Sequence, residues 1–192
     1  EGTHCFIGDF SIMSELRTNR IIPRDGLTSG TSGCIIQIVQ ATKTDTEQFS
    51  LATQTVKQYT NLTATITPTR SDSKILVNVN LSFCFSDDGK GHFGLQRTIG
   101  GGTAAAIACG ASAGSRQQMS GGYYQDNQAY VNTVNFSFLD SPATTSACAY
   151  YPTFAHDSSQ TKTYSINRSG GDSDSAQNAR YMSSILLYEV SG

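Results

Sequence analysis

The sequence is poor in charge, in tryptophan and in proline. Only 15% of its 192 residues are Asp, Glu, Lys or Arg, there is no Trp, and there are four Pro. The 13 basic residues are scattered among 15 acidic ones, which gives a net charge of −2. A protein that holds nucleic acid by its phosphates needs a clustered basic face, so we expect no nucleic-acid partner.

Long apolar runs are also missing. A membrane-spanning helix needs roughly 18 or more consecutive apolar residues, and the sequence contains no such stretch. Its first residues show neither a basic segment nor an apolar one of the kind found in secretory signal peptides. We therefore expect no membrane insertion.

Clustered metal and thiol ligands are absent as well. The three histidines are isolated, and no CxxC pair occurs among the cysteines, which are Cys5, Cys34, Cys84, Cys109 and Cys148. Such spacing favours small buried thiols in a chain folded in a reducing cytosol over a disulfide framework or a zinc site. The sequence predicts no metal and no cofactor.

What the sequence does contain is regular alternation of apolar and polar residues. Between Ile75 and Ser86 the odd positions are apolar and the even ones mostly polar and uncharged, as in a half-buried strand. Turn residues separate ten such segments, at 34–41, 47–53, 61–67, 74–86, 92–98, 103–108, 129–139, 146–155, 162–168 and 180–190. They predict an all-β, antiparallel, jelly-roll-like β-sandwich over residues 34–192.

Three details of this sandwich can be predicted. The PTRSDS connection at 68–73 indicates a hairpin between the strands at 61–67 and 74–86. The last strand is apolar on both faces near its middle, which places it centrally in a sheet. The even face of the strand at 74–86 is long and polar, so it suits a subunit interface or a ligand-facing wall as well as it suits solvent.

Residues 1–33 differ from the rest and predict an extended N-terminal arm. The stretch from Pro23 to Gly33 is rich in Gly, Ser and Thr, as linkers are. Met13 begins a segment that resembles a natural translation start. We therefore expect residues 1–12 to lie upstream of the native chain.

No catalytic pattern stands out. Ser112, Asp126 and His156 follow the chain order of some serine hydrolases, but no nucleophile motif surrounds the serine. Glycan cleavage needs two carboxylates, for which the candidates are Asp126, Asp140 and Asp157. Such residues at strand ends are usually turn formers, so the sequence predicts a protein that is not an enzyme.

Two tyrosine pairs are the best candidates for ligand contacts. On a strand, one ring of Tyr123–Tyr124 and one of Tyr150–Tyr151 must face outward, where it can stack on a sugar or fill an interface. Asp126 lies beside the first pair and joins the predicted receptor-binding set. The alternative is that the outward ring packs under a loop or against a neighbouring subunit.

Five segments in order carry a resemblance to a known family: MSELRTNRIIPRDGLTSGTSG, IIQIVQATKTDT, LTATITPTRSDSKILVNVNLSF, NFSFLDSPATTSACAYYPTFA and ILLYEV. The chain resembles small tail-fibre or virion structural proteins of tailed, marine-type bacteriophages. The resemblance implies a homotrimeric β-sandwich in the virion, assembled in the host cytoplasm. It assigns docking to other virion proteins to the arm, with Leu16, Ile21, Ile22 and Pro23 as the candidate contacts.

Two roles stay open within that prediction. A tail-fibre or appendage protein would bind a host-surface glycan or protein through loops at 110–128, 140–146 and 169–178. A capsid or tail decoration protein would bind only other virion subunits. A glycan depolymerase that uses the loop carboxylates is the alternative outside this class.

Overall fold

The computed structural model describes residues 33–53, 55–86 and 89–192. These residues form twelve strands and no helix. The strands are β1 (Ile35–Lys43), β2 (Glu47–Leu51), β3 (Lys57–Gln58), β4 (Ala64–Ile66), β5 (Lys74–Phe85), β6 (Gly89–Ile99), β7 (Ala105–Ile107), β8 (Gly121–Gln125), β9 (Asn132–Asp140), β10 (Cys148–His156), β11 (Lys162–Ile166) and β12 (Ser183–Val190).

Sheet A is built around β5. Phe83 pairs with β9 and with β11, so these two strands lie on opposite edges of β5. Residues 75–80 pair with both β9 and β12, which puts β12 on the same edge as β11. Beyond them β1 pairs with β12 and β2 with β11. Sheet A therefore has four strand positions, two of them filled by two short strands each.

Sheet B repeats this arrangement around β10 and β6, which pair along nine residues. β3 and β4 pair with the other edge of β10, and β7 and β8 with the other edge of β6. All pairings in both sheets are antiparallel.

The two sheets together have the topology of a jelly roll. Taken in chain order as eight positions, the first (β1 and β2) pairs with the eighth (β11 and β12), and the second (β3 and β4) with the seventh (β10). The third (β5) pairs with the sixth (β9), and the fourth (β6) with the fifth (β7 and β8). The chain is thus one long hairpin wound into two sheets, which confirms the predicted antiparallel sandwich.

The core lies between the sheets and is rich in aromatic rings. The odd residues of β5, from Ile75 to Phe85, are all buried there, as their alternation predicts. Rings from both sheets meet at one end of the core, where Phe83 lies 5.3 Å from Phe154 and Phe85 lies 5.0 Å from Tyr164. Edge and tilted ring contacts of this kind add to the free energy of area burial.

The structure also corrects the predicted strand arrangement. β4 and β5 are not a hairpin, because β4 pairs with β10 in sheet B while β5 belongs to sheet A. The 67–73 connection crosses from one sheet to the other, and its polar turn residues fit that path equally well. The central position of the last strand is confirmed, since β12 lies between β1 and β5.

Candidate interaction surfaces

A row of apolar side chains crosses the outer face of sheet A. Strand register aligns one residue from each of the four strands, and we name them the apolar row: Ile38, Tyr188, Leu76 and Leu139. Ile38 is 57% exposed and Leu139 48% exposed, at the two ends of the row. Ile35 and Ile36 add further exposed apolar surface near Ile38. Contiguous exposed apolar surface of this kind is typical of an interaction site.

A polar trough follows the apolar row on the same face. It has a volume of about 420 Å³, and its lining includes the amide and hydroxyl side chains of Asn78, Asn80, Asn135, Ser137 and Ser184. The Asn80 Oδ1 atom is buried and accepts no hydrogen bond within the described residues. The trough therefore holds a polar atom that is shielded from solvent and receives no hydrogen bond within the described residues.

The far end of the even face of β5 is covered by the chain itself. Ser82 and Cys84 are buried, and the Cys84 thiol donates to the carbonyl of Gln128 at 3.1 Å. Gln125 holds this covering segment, because its Nε2 donates to the carbonyls of Asn127 and Tyr130. The prediction of a polar face available along the whole strand is therefore wrong beyond Asn80.

The two tyrosine pairs behave differently. Tyr124 is 61% exposed, while Tyr123 packs against the core. Tyr150 is 0% and Tyr151 4% exposed, so the prediction of one outward ring is wrong for this pair. β10 is covered on both faces, which leaves neither ring free for a ligand. Only Tyr124 remains an accessible aromatic contact among these four residues.

The three candidate carboxylates differ in burial and in their partners. Asp140 is buried. It accepts a hydrogen bond from the Tyr150 hydroxyl at 2.8 Å and forms an ion pair with Arg97. It therefore joins the end of β9 in sheet A to β10 and β6 in sheet B. Asp126 is exposed beside Tyr124. Asp157 lies at a cleft, where its Oδ1 accepts a hydrogen bond from the Lys90 backbone at 3.2 Å.

Ser112, Asp126 and His156 do not form a hydrogen-bonded relay. His156 is buried, and its Nε2 lies 2.9 Å from the carbonyl oxygen of Leu51. Its Nδ1 has no hydrogen-bond partner in the described part of the chain, and Ser112 is exposed.

A cleft lies at one end of sheet B, over β6 and β10. Its volume is about 680 Å³, and it is lined by Lys90, His92, Ser115, Arg116, Gln117, His156 and Asp157. Burial lowers the pKa of His92 below its usual value of 6.5, against the opposing effect of Asp157. Lys90, Arg116 and Asp157 also line the cleft and bring two positive charges and one negative charge to it.

Sequence reasoning missed this cleft. Its residues come from three separate segments and match no motif. β8 was not predicted, because GGYYQ reads as a glycine-rich loop. Its pairing with β6 sets Tyr124 opposite Lys90, and opposite residues of an antiparallel pair share a face of the sheet. The two adjacent tyrosines, which favour strands, are the signal that could have predicted β8.

The predicted loops hold different features. The segment 110–128 contains β8 and three cleft residues, while 140–146 begins at the buried Asp140. Within 169–178, Asp172 forms ion pairs with Arg168 and Arg180, which tie that loop to the residues on both sides of it. The arm residues Leu16, Ile21, Ile22 and Pro23 lie outside the described residues.

The remaining sequence expectations concern cysteines, metals and membranes. Cys84 and Cys148 are buried as predicted, but Cys34 and Cys109 are exposed. In the described ranges, no three His, Cys, Asp or Glu side chains are grouped to hold a metal ion. Nor does this part of the chain contain a helix of the length and apolar character that crossing a bilayer requires.

Comparison with known proteins gives distant structural likenesses only. No family model and no curated protein matches the sequence. The structure of infectious bursal disease virus Gt strain is 17% identical with a TM-score of 0.41, covering 92% of this chain and 43% of that chain. The infectious bursal disease virus VP2 subviral particle is 14% identical with a TM-score of 0.38, covering 81% and 41%.

This chain therefore spans less than half of the length of each of those two chains. TM-scores below 0.5 describe a remote likeness. The jelly-roll assignment accordingly rests on the strand pairing of this chain itself.

Proposed function

We propose that this chain is a non-enzymatic structural protein of a virion, a tail-fibre or appendage module that assembles into a homotrimer and contacts the host surface. The observation that carries this proposal is the outer face of sheet A, where the exposed apolar row lies beside the polar trough. A second copy of the chain would cover both. The trimeric state and the virion setting come from the sequence resemblance.

The open edge of sheet A at β9 also supports assembly. Within the described residues β9 pairs with β5 alone, and Leu139 lies near the end of this edge strand. An open strand edge beside an exposed apolar row is a surface that proteins normally cover. Subunits packed around an axis would cover it repeatedly.

Docking of the sandwich to other virion proteins through the arm is part of this proposal. It concerns Leu16, Ile21, Ile22 and Pro23. A decoration protein would use the same outer face of sheet A on other virion subunits and would not need a receptor site.

The oligomer is tested by light scattering. We expect a mass near three times the 20.5 kDa of one chain at micromolar concentration. Leu139→Asp should shift the mass to that of one chain, because it places a charge in the apolar row that the interface would bury. Val56→Asp, at a similarly exposed apolar residue in the segment before β3, is the matched control and should keep the oligomer.

A wild-type mass near 20.5 kDa across micromolar concentrations would contradict assembly. Equal masses for the two variants would exclude the apolar row as the interface. Thermal unfolding of both variants shows whether each is folded.

A further inference from the structure

We infer that the cleft over β6 and β10 binds an acidic saccharide, with Lys90 and Arg116 holding its anionic group and Tyr124 stacking on its ring. This inference deepens the proposed function, on which it rests, because it names the chemistry of a host-surface ligand. It is carried by the cleft geometry, its charge and the neighbouring aromatic ring.

The charge of the cleft favours an anion. Lys90 and Arg116 line it together with one carboxylate, Asp157. The Lys90 Nζ lies 4.0 Å from Asp157 Oδ2, and both side chains are largely exposed, so this ion pair is weak. Lys90 therefore keeps ammonium hydrogens for a ligand, and the planar Arg116 guanidinium suits a carboxylate or sulfate.

Polar but uncharged groups in the same cleft fit the hydroxyls of a sugar. Ser115 can donate and accept, and Gln117 offers an amide with both capacities. A few convergent polar groups of this kind fix the orientation of a ligand. A simple inorganic anion would leave most of a 680 Å³ cleft unfilled.

Tyr124 supplies the aromatic surface. It pairs with Lys90 across β8 and β6, which puts its exposed ring on the same face of sheet B as the Lys90 side chain. A flat ring with a polar tip can cover the apolar face of a sugar.

Gly122 sets the position of His92 beside this ring. It pairs with His92, and a Cβ atom added to Gly122 would lie 2.9 Å from the His92 Nδ1. The imidazole therefore rests against bare backbone within the wall of the cleft.

The test measures binding of the full-length protein to three immobilised polysaccharides: polygalacturonate, dextran sulfate and neutral dextran. We expect at least tenfold tighter binding to one or both acidic polymers than to dextran. Preference for polygalacturonate would assign a carboxylate ligand, and preference for dextran sulfate a sulfate ester. Both outcomes support an anionic saccharide.

Four variants separate the cleft from the rest of the surface. The double variant Lys90→Gln, Arg116→Gln should lose at least tenfold in affinity for the preferred polymer, and Tyr124→Ala severalfold. Tyr124→Phe should retain binding, because it keeps the ring. Lys74→Gln removes an exposed positive charge from sheet A and should change affinity less than twofold.

Equal binding of dextran and both acidic polymers would overturn the inference, as would equal effects of the cleft and Lys74 variants. Duplex DNA could instead bind with the same affinity as the acidic polymers and with the same dependence on Lys90 and Arg116. That result would show that the cleft binds polyanions in general and would overturn its assignment to a saccharide. Light scattering of the same samples keeps the two proposals apart. A trimer that binds no acidic polymer refutes only this inference, and a monomer that binds one refutes only the assembly proposal.

Discussion

At the scale of single residues, the side chains that looked reactive divide into structural and accessible groups. Asp140 is one of three predicted carboxylate candidates, yet it is only 6% exposed and bonds to Arg97 and Tyr150. Asp126 and Asp157, which have the same chemistry, remain at the surface. Burial and partners thus give identical side chains different roles, and a single sequence does not display either property.

The structural role of Asp140 predicts a large loss of stability in Asp140→Ala. Removing the carboxylate leaves the Arg97 guanidinium buried without its partner, which costs about 3 to 5 kcal/mol of unfolding free energy. Asp126→Ala, at an exposed position, should change the unfolding free energy by less than about 0.5 kcal/mol. Urea denaturation of both variants measures the difference.

If the unfolding free energies of Asp140→Ala and Asp126→Ala differed by less than about 1 kcal/mol, the stability of the sandwich would not depend on the ion pair between Asp140 and Arg97.

At the scale of elements, strand existence was predictable and strand partners were not. The alternation in β5 predicted its buried face correctly, because one strand directly shows which side chains share a face. The 146–155 segment is instead almost continuously apolar, which is typical of a strand covered on both faces, and this explains why Tyr150 and Tyr151 are buried. β4 and β5 are neighbours in sequence yet pair in different sheets, a choice that turn residues do not encode.

Glu189 ties three elements together and predicts a pH-dependent effect. Its carboxylate is buried on β12 and accepts hydrogen bonds from Gln37 of β1 at 2.6 Å and from the Thr69 backbone at 2.7 Å. Burial alone would raise the pKa of Glu189, but the polar groups of Ser73, Thr69 and Gln37 outweigh burial and lower the pKa below its usual value of 4.5. The stabilisation is therefore complete above pH 4.5 and is lost as pH falls through the lower pKa of the folded state.

Glu189→Gln should consequently destabilise the protein by about 1 to 3 kcal/mol at pH 7, because the new amide sets a donor against a donor. The difference from wild type should shrink on acidification below pH 4.5, as the wild-type carboxylate becomes protonated. Unfolding curves of both proteins at pH 7 and pH 3 measure this. A difference that stayed constant with pH would show that the charge of Glu189 contributes nothing.

At the scale of the whole molecule, the sequence predicted the fold class but not which strands pair in each sheet. Ten alternating segments and the absence of a helical pattern were enough for an antiparallel sandwich. The jelly-roll pairing joins β1 to β12, more than 140 residues apart, and no local pattern specifies such partners. The cleft of sheet B was out of reach for the same reason, since its residues converge only after the chain is wound.

That winding also brings the first and last described residues side by side. The Gly33 amide donates to the Ser191 carbonyl at 3.1 Å, and the Ser191 amide donates to the Cys34 carbonyl at 2.9 Å. Neighbouring ends of this kind permit circular permutation. We expect that a chain with residues 33 and 192 joined by a short glycine linker, and reopened at the exposed residues 173–177, folds to the same circular dichroism spectrum.

Such a permutant would move the free ends to the connection between β11 and β12 while leaving every strand pair intact. If it failed to fold, folding would require the covalent connection between β11 and β12. If it folded, the order in which the chain is synthesised would be shown to be dispensable for this architecture.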